Sequence, residues 1–143
     1  MNWSVEVYEE AGPAGTDRVV ESEALRLREN PDVKLDIARL LSWLAEVQHG
    51  NGDPRREPDA PAVDGYTLKY RCVGNAVMIF ALVSLPPRVI VLRFGRSASA
   101  FPTVVDCTQA VRRWQRWRWA DDTVEARDFR FRSGSGLQHE IRS

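Results

Sequence analysis

Residues 66–96, YTLKYRCVGNAVMIFALVSLPPRVIVLRFGR, decide how this chain folds. Tyr66, Leu68, Tyr70 and Cys72 alternate with Thr67, Lys69 and Arg71, the period-2 pattern of a strand with one buried face. Gly74-Asn75 marks a turn. Residues 76–83 are apolar throughout, as suits a central strand covered on both sides. Pro86-Pro87 imposes a second break. Residues 89–92 are apolar again, and Arg93, Phe94, Gly95 and Arg96 close the run. Each connection is too short for a helical crossover, so the stretch predicts a three-stranded antiparallel meander.

Upstream, Trp3, Val5 and Val7 alternate with Ser4, Glu6 and Tyr8, which predicts a first strand. Residues 9–15 read as a loop around Pro13. Thr16 is the expected N-cap of a helix carrying Val20, Ala24 and Leu27 at helical spacing. Asn30-Pro31-Asp32 reads as a restart, with Asn30 as cap and Pro31 in the first helical position. Val33, Ile37, Leu40, Leu41, Leu44 and Val47 follow at the 3.6-residue period, and Gly50 ends the helix. The two helices form a hairpin that can seal one side of the sheet. Residues 51–64, rich in Pro, Asp and Arg, read as a long loop with Arg55 and Arg56 in water.

Downstream, residues 97–102 form a linker. Thr103 opens a third helix, with Asp106 three positions on as in a capping box. Val104, Cys107, Val111 and Trp114 make an apolar stripe, widened by Ala110 and Trp117, while Arg112, Arg113, Arg116 and Arg118 take much of the rest. Residues 124–132 alternate and predict an extra strand; residues 133–143 read as a frayed Gly/Ser-rich end. The class is therefore α+β: N-terminal strand, helical hairpin, meander, C-terminal helix and an extra segment.

At 143 residues, 43% of them apolar, the chain fits one domain with a small appendage. No run reaches the roughly 18–20 apolar residues of a membrane span. The start, MNWSVEVYEE, lacks a secretory pattern, so a cytoplasmic protein is expected. Cys72 and Cys107 read as buried thiols in a reducing compartment. His49 and His139 are isolated, so no metal and no cofactor is expected. Net charge is zero, yet residues 1–65 sum to −7 and residues 66–143 to +7. Such a split either offers a basic surface to a polyanion or pairs the two halves within the fold.

The order strand, two helices, meander resembles the RelE/ParE toxin superfamily, and its HigB-like, phage-derived branch in particular. The residues that carry the resemblance are Pro61 followed by DGYTLKYR (64–71), VMIF (77–80), RVIVLRFGRS (88–97), then Pro102 and QAVRRW (109–114). It covers residues 1–119, leaving 120–143 as an extension. The chain departs from the family where Arg96-Ser97 replaces the usual Lys-Lys pair and where LKYR dilutes a Glu-Leu-Arg motif.

The resemblance implies the toxin of a toxin–antitoxin system, a ribosome-dependent, metal-independent mRNA endoribonuclease. In that chemistry a ribose 2′-hydroxyl attacks the adjacent phosphate, and the protein supplies cations and a proton carrier. Its expected catalytic set is Lys69, Arg71, Arg93 and Arg96, with Arg71 and Arg93 clamping phosphate and Lys69 moving protons. Arg112, Arg113 and Arg116 are the expected RNA contacts. Implied partners are the ribosome with its mRNA and a cognate helix-turn-helix antitoxin, with no membrane. Two alternatives stay open: a non-catalytic binding protein on the same fold, such as a topoisomerase inhibitor, and an unrelated α+β interaction domain.

Overall fold

The computed structural model describes residues 2–122, and the α+β class holds for them. Strand β1 (Ser4–Val7) leads into a two-stranded hairpin, β2 (Glu10–Gly12) and β3 (Gly15–Asp17). Helices α1 (Val19–Arg28) and α2 (Lys34–Gln48) follow. The meander is β4 (Lys69–Val73), β5 (Ala76–Ser84) and β6 (Pro87–Arg96), and α3 (Val104–Asp122) ends the described chain. The main sheet runs β1-β6-β5-β4, with β1 parallel to β6 and the other pairs antiparallel.

The meander forms as its alternation dictates. Leu68 and Tyr70 are buried on one side of β4, and β5 is buried from Ala76 to Ala81. Helix α2 lays Ile37, Leu40, Leu41, Leu44 and Val47 on one face of the sheet, where Trp43 meets Phe80 at 5.6 Å between ring centroids. Helix α3 covers the other face with Cys107, Ala110, Val111 and Trp117. Gly50, at φ 85°, turns the chain out of α2 in the left-handed conformation that glycine adopts without strain.

Several boundaries differ from expectation. Where a loop was expected over residues 9–15, the β2–β3 hairpin begins at Glu10 and runs on to Asp17. Thr16 belongs to β3 and caps nothing; α1 starts after Arg18, which makes no side-chain cap. Asn30 accepts the Asp32 N–H through Oδ1 at 2.9 Å, but Pro31 stays in the turn and α2 begins at Lys34. A local Asx turn has here outcompeted the helix start. The 51–64 loop is partly ordered by a 3-10 turn, Pro54–Arg56. Further on, Ala60 N donates to Leu68 O (2.7 Å) and Tyr70 N to Pro58 O (3.0 Å). The loop thereby covers the outer edge of β4, which an open strand would otherwise expose. The first half of the expected capping box forms, with Asp106 N donating to Thr103 Oγ1 at 3.1 Å, while the Asp106 carboxylate accepts from the Thr103 hydroxyl. Val104, placed on the apolar stripe, is 81% exposed. The strand expected over residues 124–132 lies outside the described residues. Among the described residues, no helix is long and apolar enough to cross a membrane.

Candidate functional site

Strand β1 has four residues and β6 has ten, so the sheet runs out of partner halfway along β6. The last rung is Tyr8 N to Val91 O at 2.9 Å. Beyond it, the backbone polar groups of β6 need other partners, because a buried unpaired N–H or C=O is costly. Side chains supply them. Phe94 N donates to Glu23 Oε1 on α1 (3.3 Å), and Leu92 O accepts from Arg113 Nη1 on α3 (2.8 Å).

The same carboxylate gathers two arginines. Glu23 Oε2 accepts from Arg93 Nη1 at 2.5 Å and from Arg113 Nη2 at 2.8 Å; Oε1 accepts from Arg113 Nη1 at 2.9 Å. Arg93 also donates through Nε to Asp106 Oδ1 (2.9 Å) and through Nη1 to Gln109 Oε1 (2.5 Å). Asp106 is held in turn by the Thr103 hydroxyl at 2.8 Å. Gly95 is what lets α3 come so close: a Cβ there would stand 2.8 Å from Asp106 Oδ1. One charge cluster therefore ties α1, β6 and α3 together. It is largely shielded, with the Glu23 side chain only 6% exposed.

Around this cluster lies a cleft of about 1050 Å³, between α1, the open half-edge of β6 and α3. Its charged lining is five guanidiniums (Arg18, Arg26, Arg93, Arg96, Arg113) against two carboxylates, Asp17 and Glu23, so it is cationic. The rim arginines are weakly engaged. Arg18 lies 3.9 Å from Glu21, and Arg96 lies 3.5 Å from an exposed Asp32. Arg26 is exposed and has no ion pair among the described residues. Val19, Leu27, Phe94 and Val105 supply apolar wall. Behind the cluster, Arg113 stacks over the Tyr8 ring at 5.8 Å. Burial, reinforced by the hydrogen bond to Glu10, pushes the Tyr8 hydroxyl far above the ordinary phenol value. Burial also raises the Cys72 and Cys107 thiols, Cys107 further because of Asp106, which leaves both as poor nucleophiles near neutral pH.

The expected catalytic residues split into two pairs. Lys69 and Arg71 share a side of β4, as their spacing predicts. Their register partners, Phe80 and Met78, place that side under α2, with Arg71 4.7 Å over the Trp43 ring. The side that the helical hairpin seals is therefore the one that carries Arg71. Arg93 pairs with Ile79, which pairs with Tyr70, so it projects from the opposite face, under α3. The cause is a bulge between Ile79 and Phe80. Phe80 opposes Val91 and Ile79 opposes Arg93, so Leu92 is an extra residue. An uninterrupted register would set Arg93 against Met78, on Arg71's side; one inserted residue reverses it. Two strand spacings, about 10 Å, further separate β4 from β6. Arg93 and Arg96 do meet, at the cleft, because it wraps the edge of β6 and admits residues from both faces.

The separated cations are also paired. Lys69 Nζ is 2.8 Å from Asp59 Oδ1, and Arg71 Nη1 is 2.7 Å from Glu57 Oε1. Of the expected RNA contacts, Arg112 is exposed, Arg116 is exposed and 2.6 Å from Glu10, and Arg113 is buried in the Glu23 cluster. Trp117 is buried under Arg88 (5.1 Å), and Trp114 stacks on it at 5.3 Å with rings 10° apart. The tryptophans thus pack, as the amphipathic reading expected.

Glu23, Arg18 and Arg26 were not singled out from sequence. For Glu23 a signal exists: it stands three residues after Val20 and four before Leu27, so it lies on the apolar stripe of α1 itself. An acid there needs a buried cation. No known protein family, characterised protein or solved structure matches this chain.

Proposed function

We infer that this is a RelE/ParE-type domain, the toxin half of a toxin–antitoxin pair, that acts by binding an anionic target rather than by cutting RNA. The arginine cleft is its working surface. The family part of this reading rests on the motif resemblance over residues 1–119 and on the element order, in which a strand and two helices precede the meander. The choice of binding over cleavage rests on one observation: Arg71 and Arg93 emerge from opposite faces of the sheet. A single phosphate cannot be clamped by both, and cleavage requires cations that converge on one phosphorane. Arg71 is, moreover, already paired with Glu57.

The test is induced expression with three readouts: growth, primer extension on abundant mRNAs, and topoisomerase pull-down. Growth arrest with intact mRNA is expected, relieved by Arg26→Ala/Arg96→Ala and by co-expression of an adjacent helix-turn-helix antitoxin. Ribosome-dependent mRNA cuts that vanish with Arg71→Ala or Arg93→Ala would reinstate the endoribonuclease. Absence of arrest at high expression would leave only the α+β interaction domain.

A further inference from the structure

We propose that the arginine cleft is a preformed receptor for a phosphoryl group. This rests on the cleft being the working surface and names the chemistry of its ligand. Arg93 is the anchor. Its Nε and Nη1 are spent on Asp106, Glu23 and Gln109, which fix the plane of the guanidinium. Its Nη2 carries no hydrogen bond among the described residues, and the side chain lines the cleft. A guanidinium held rigidly by carboxylates on two of its nitrogens, with the third open to a cavity, loses little rotamer freedom on taking an anion.

Arg26, on α1, and Arg96, at the end of β6, line the same cleft. Among the described residues the first has no ion pair and the second is weakly paired, so neither must break a strong contact there to reach a ligand. Phosphoryl oxygens suit such planar N–H forks, and a tetrahedral group can accept from three directions at once. Glu23 does not cancel the site. Its two oxygens are saturated by Arg93, Arg113 and the Phe94 N–H, and the rim charge remains. At about 1050 Å³ the cleft has room for a nucleotide-sized ligand. The phosphoryl group has two sources, a free polyphosphate or nucleotide and the backbone of an RNA chain.

The experiment is titration calorimetry on the full chain with inorganic tripolyphosphate, a nucleoside triphosphate and a ten-nucleotide RNA, at two salt concentrations. Tripolyphosphate should bind, and Arg26→Ala/Arg96→Ala should weaken it about tenfold or more. Both residues are exposed, so circular dichroism should stay unchanged in that variant. Lys69→Ala/Arg71→Ala, on the far strand, should leave binding as it was. A free ligand is identified if the triphosphate matches or exceeds the RNA. An RNA backbone is identified if the RNA binds tighter, with the steeper salt dependence of several phosphate contacts. No heat with tripolyphosphate at millimolar concentration overturns the proposal, as does equal weakening by both double variants. If Arg26→Ala/Arg96→Ala relieves growth arrest while no phosphoryl ligand binds, the ligand class is wrong and the cleft reading stands. Binding without arrest is the converse.

Discussion

Replacing Glu23 with alanine removes the one anion that α1, β6 and α3 share. Arg113, whose side chain is 10% exposed, is left with only the Leu92 carbonyl as a hydrogen-bond partner among the described residues, and the Phe94 N–H loses its partner. Arg93 keeps Asp106 and Gln109. Breaking a buried pair from one side costs about 3–5 kcal/mol, because an uncompensated charge stays behind. That is a large share of the roughly 5–15 kcal/mol that holds a typical domain folded. The side chains involved are too shielded for solvent to reduce it to a surface-pair value. With a urea m-value of roughly 1.5 kcal/mol/M, the midpoint should fall by about 2–3 M. Combining Glu23→Ala with Arg113→Ala should cost less than the sum of the two, with a coupling of about 1–3 kcal/mol in the double-mutant cycle. A midpoint shift under about 0.5 M, or a coupling near zero, would refute the reasoning and make the cluster an ordinary surface ion pair.

Other consequences can be checked in the same urea series. Gly95→Ala places a Cβ 2.8 Å from Asp106 Oδ1 and should destabilise by about 1–3 kcal/mol, while also loosening Arg93 and weakening tripolyphosphate binding. Thr103→Ala removes the α3 cap and should cost about 1 kcal/mol, with Thr103→Ser retaining most of it. The Tyr8 phenol is raised above its ordinary 10.0 in the fold. Its contribution to stability is therefore complete below pH 10 and declines as pH climbs from there toward the folded value. Alkaline urea titrations should show that decline in the native chain and a flatter one in Tyr8→Phe. Slow alkylation of both cysteines at pH 8 in the folded chain, and fast alkylation in urea, should accompany the raised thiols.

Much of the architecture was legible because it is written in period. The β4–β5–β6 meander follows from Tyr66-Leu68-Tyr70 alternation and two turn signals, and α2 from six apolar residues at 3.6 spacing. The β2–β3 hairpin was not legible: Glu10–Gly12 and Gly15–Asp17 are three residues each and carry no apolar alternation. The candidate site was half legible. Within one strand, alternation fixes which residues share a side, so Lys69 with Arg71 could be read. Between strands, the side depends on register, and no local pattern announces the extra residue at Leu92 that carries Arg93 to the other face. The partners of these cations were also hidden, since Glu23 is seventy residues from Arg93.

The abrupt end of β1 has a consequence for how easily this molecule's surface can be rewritten. After Tyr8 the chain departs into the small hairpin at Glu10, and the vacant flank of β6 begins where that departure happens. The arginine receptor occupies a gap in a sheet, produced by a difference in length between two neighbours. A few extended residues spliced in after Tyr8 would let backbone pair with backbone over Leu92 to Arg96, evict Glu23 and Arg113, and pave the gap over. A lineage could thus lose or regain the pocket by a short insertion or deletion, leaving the hydrophobic interior unaltered.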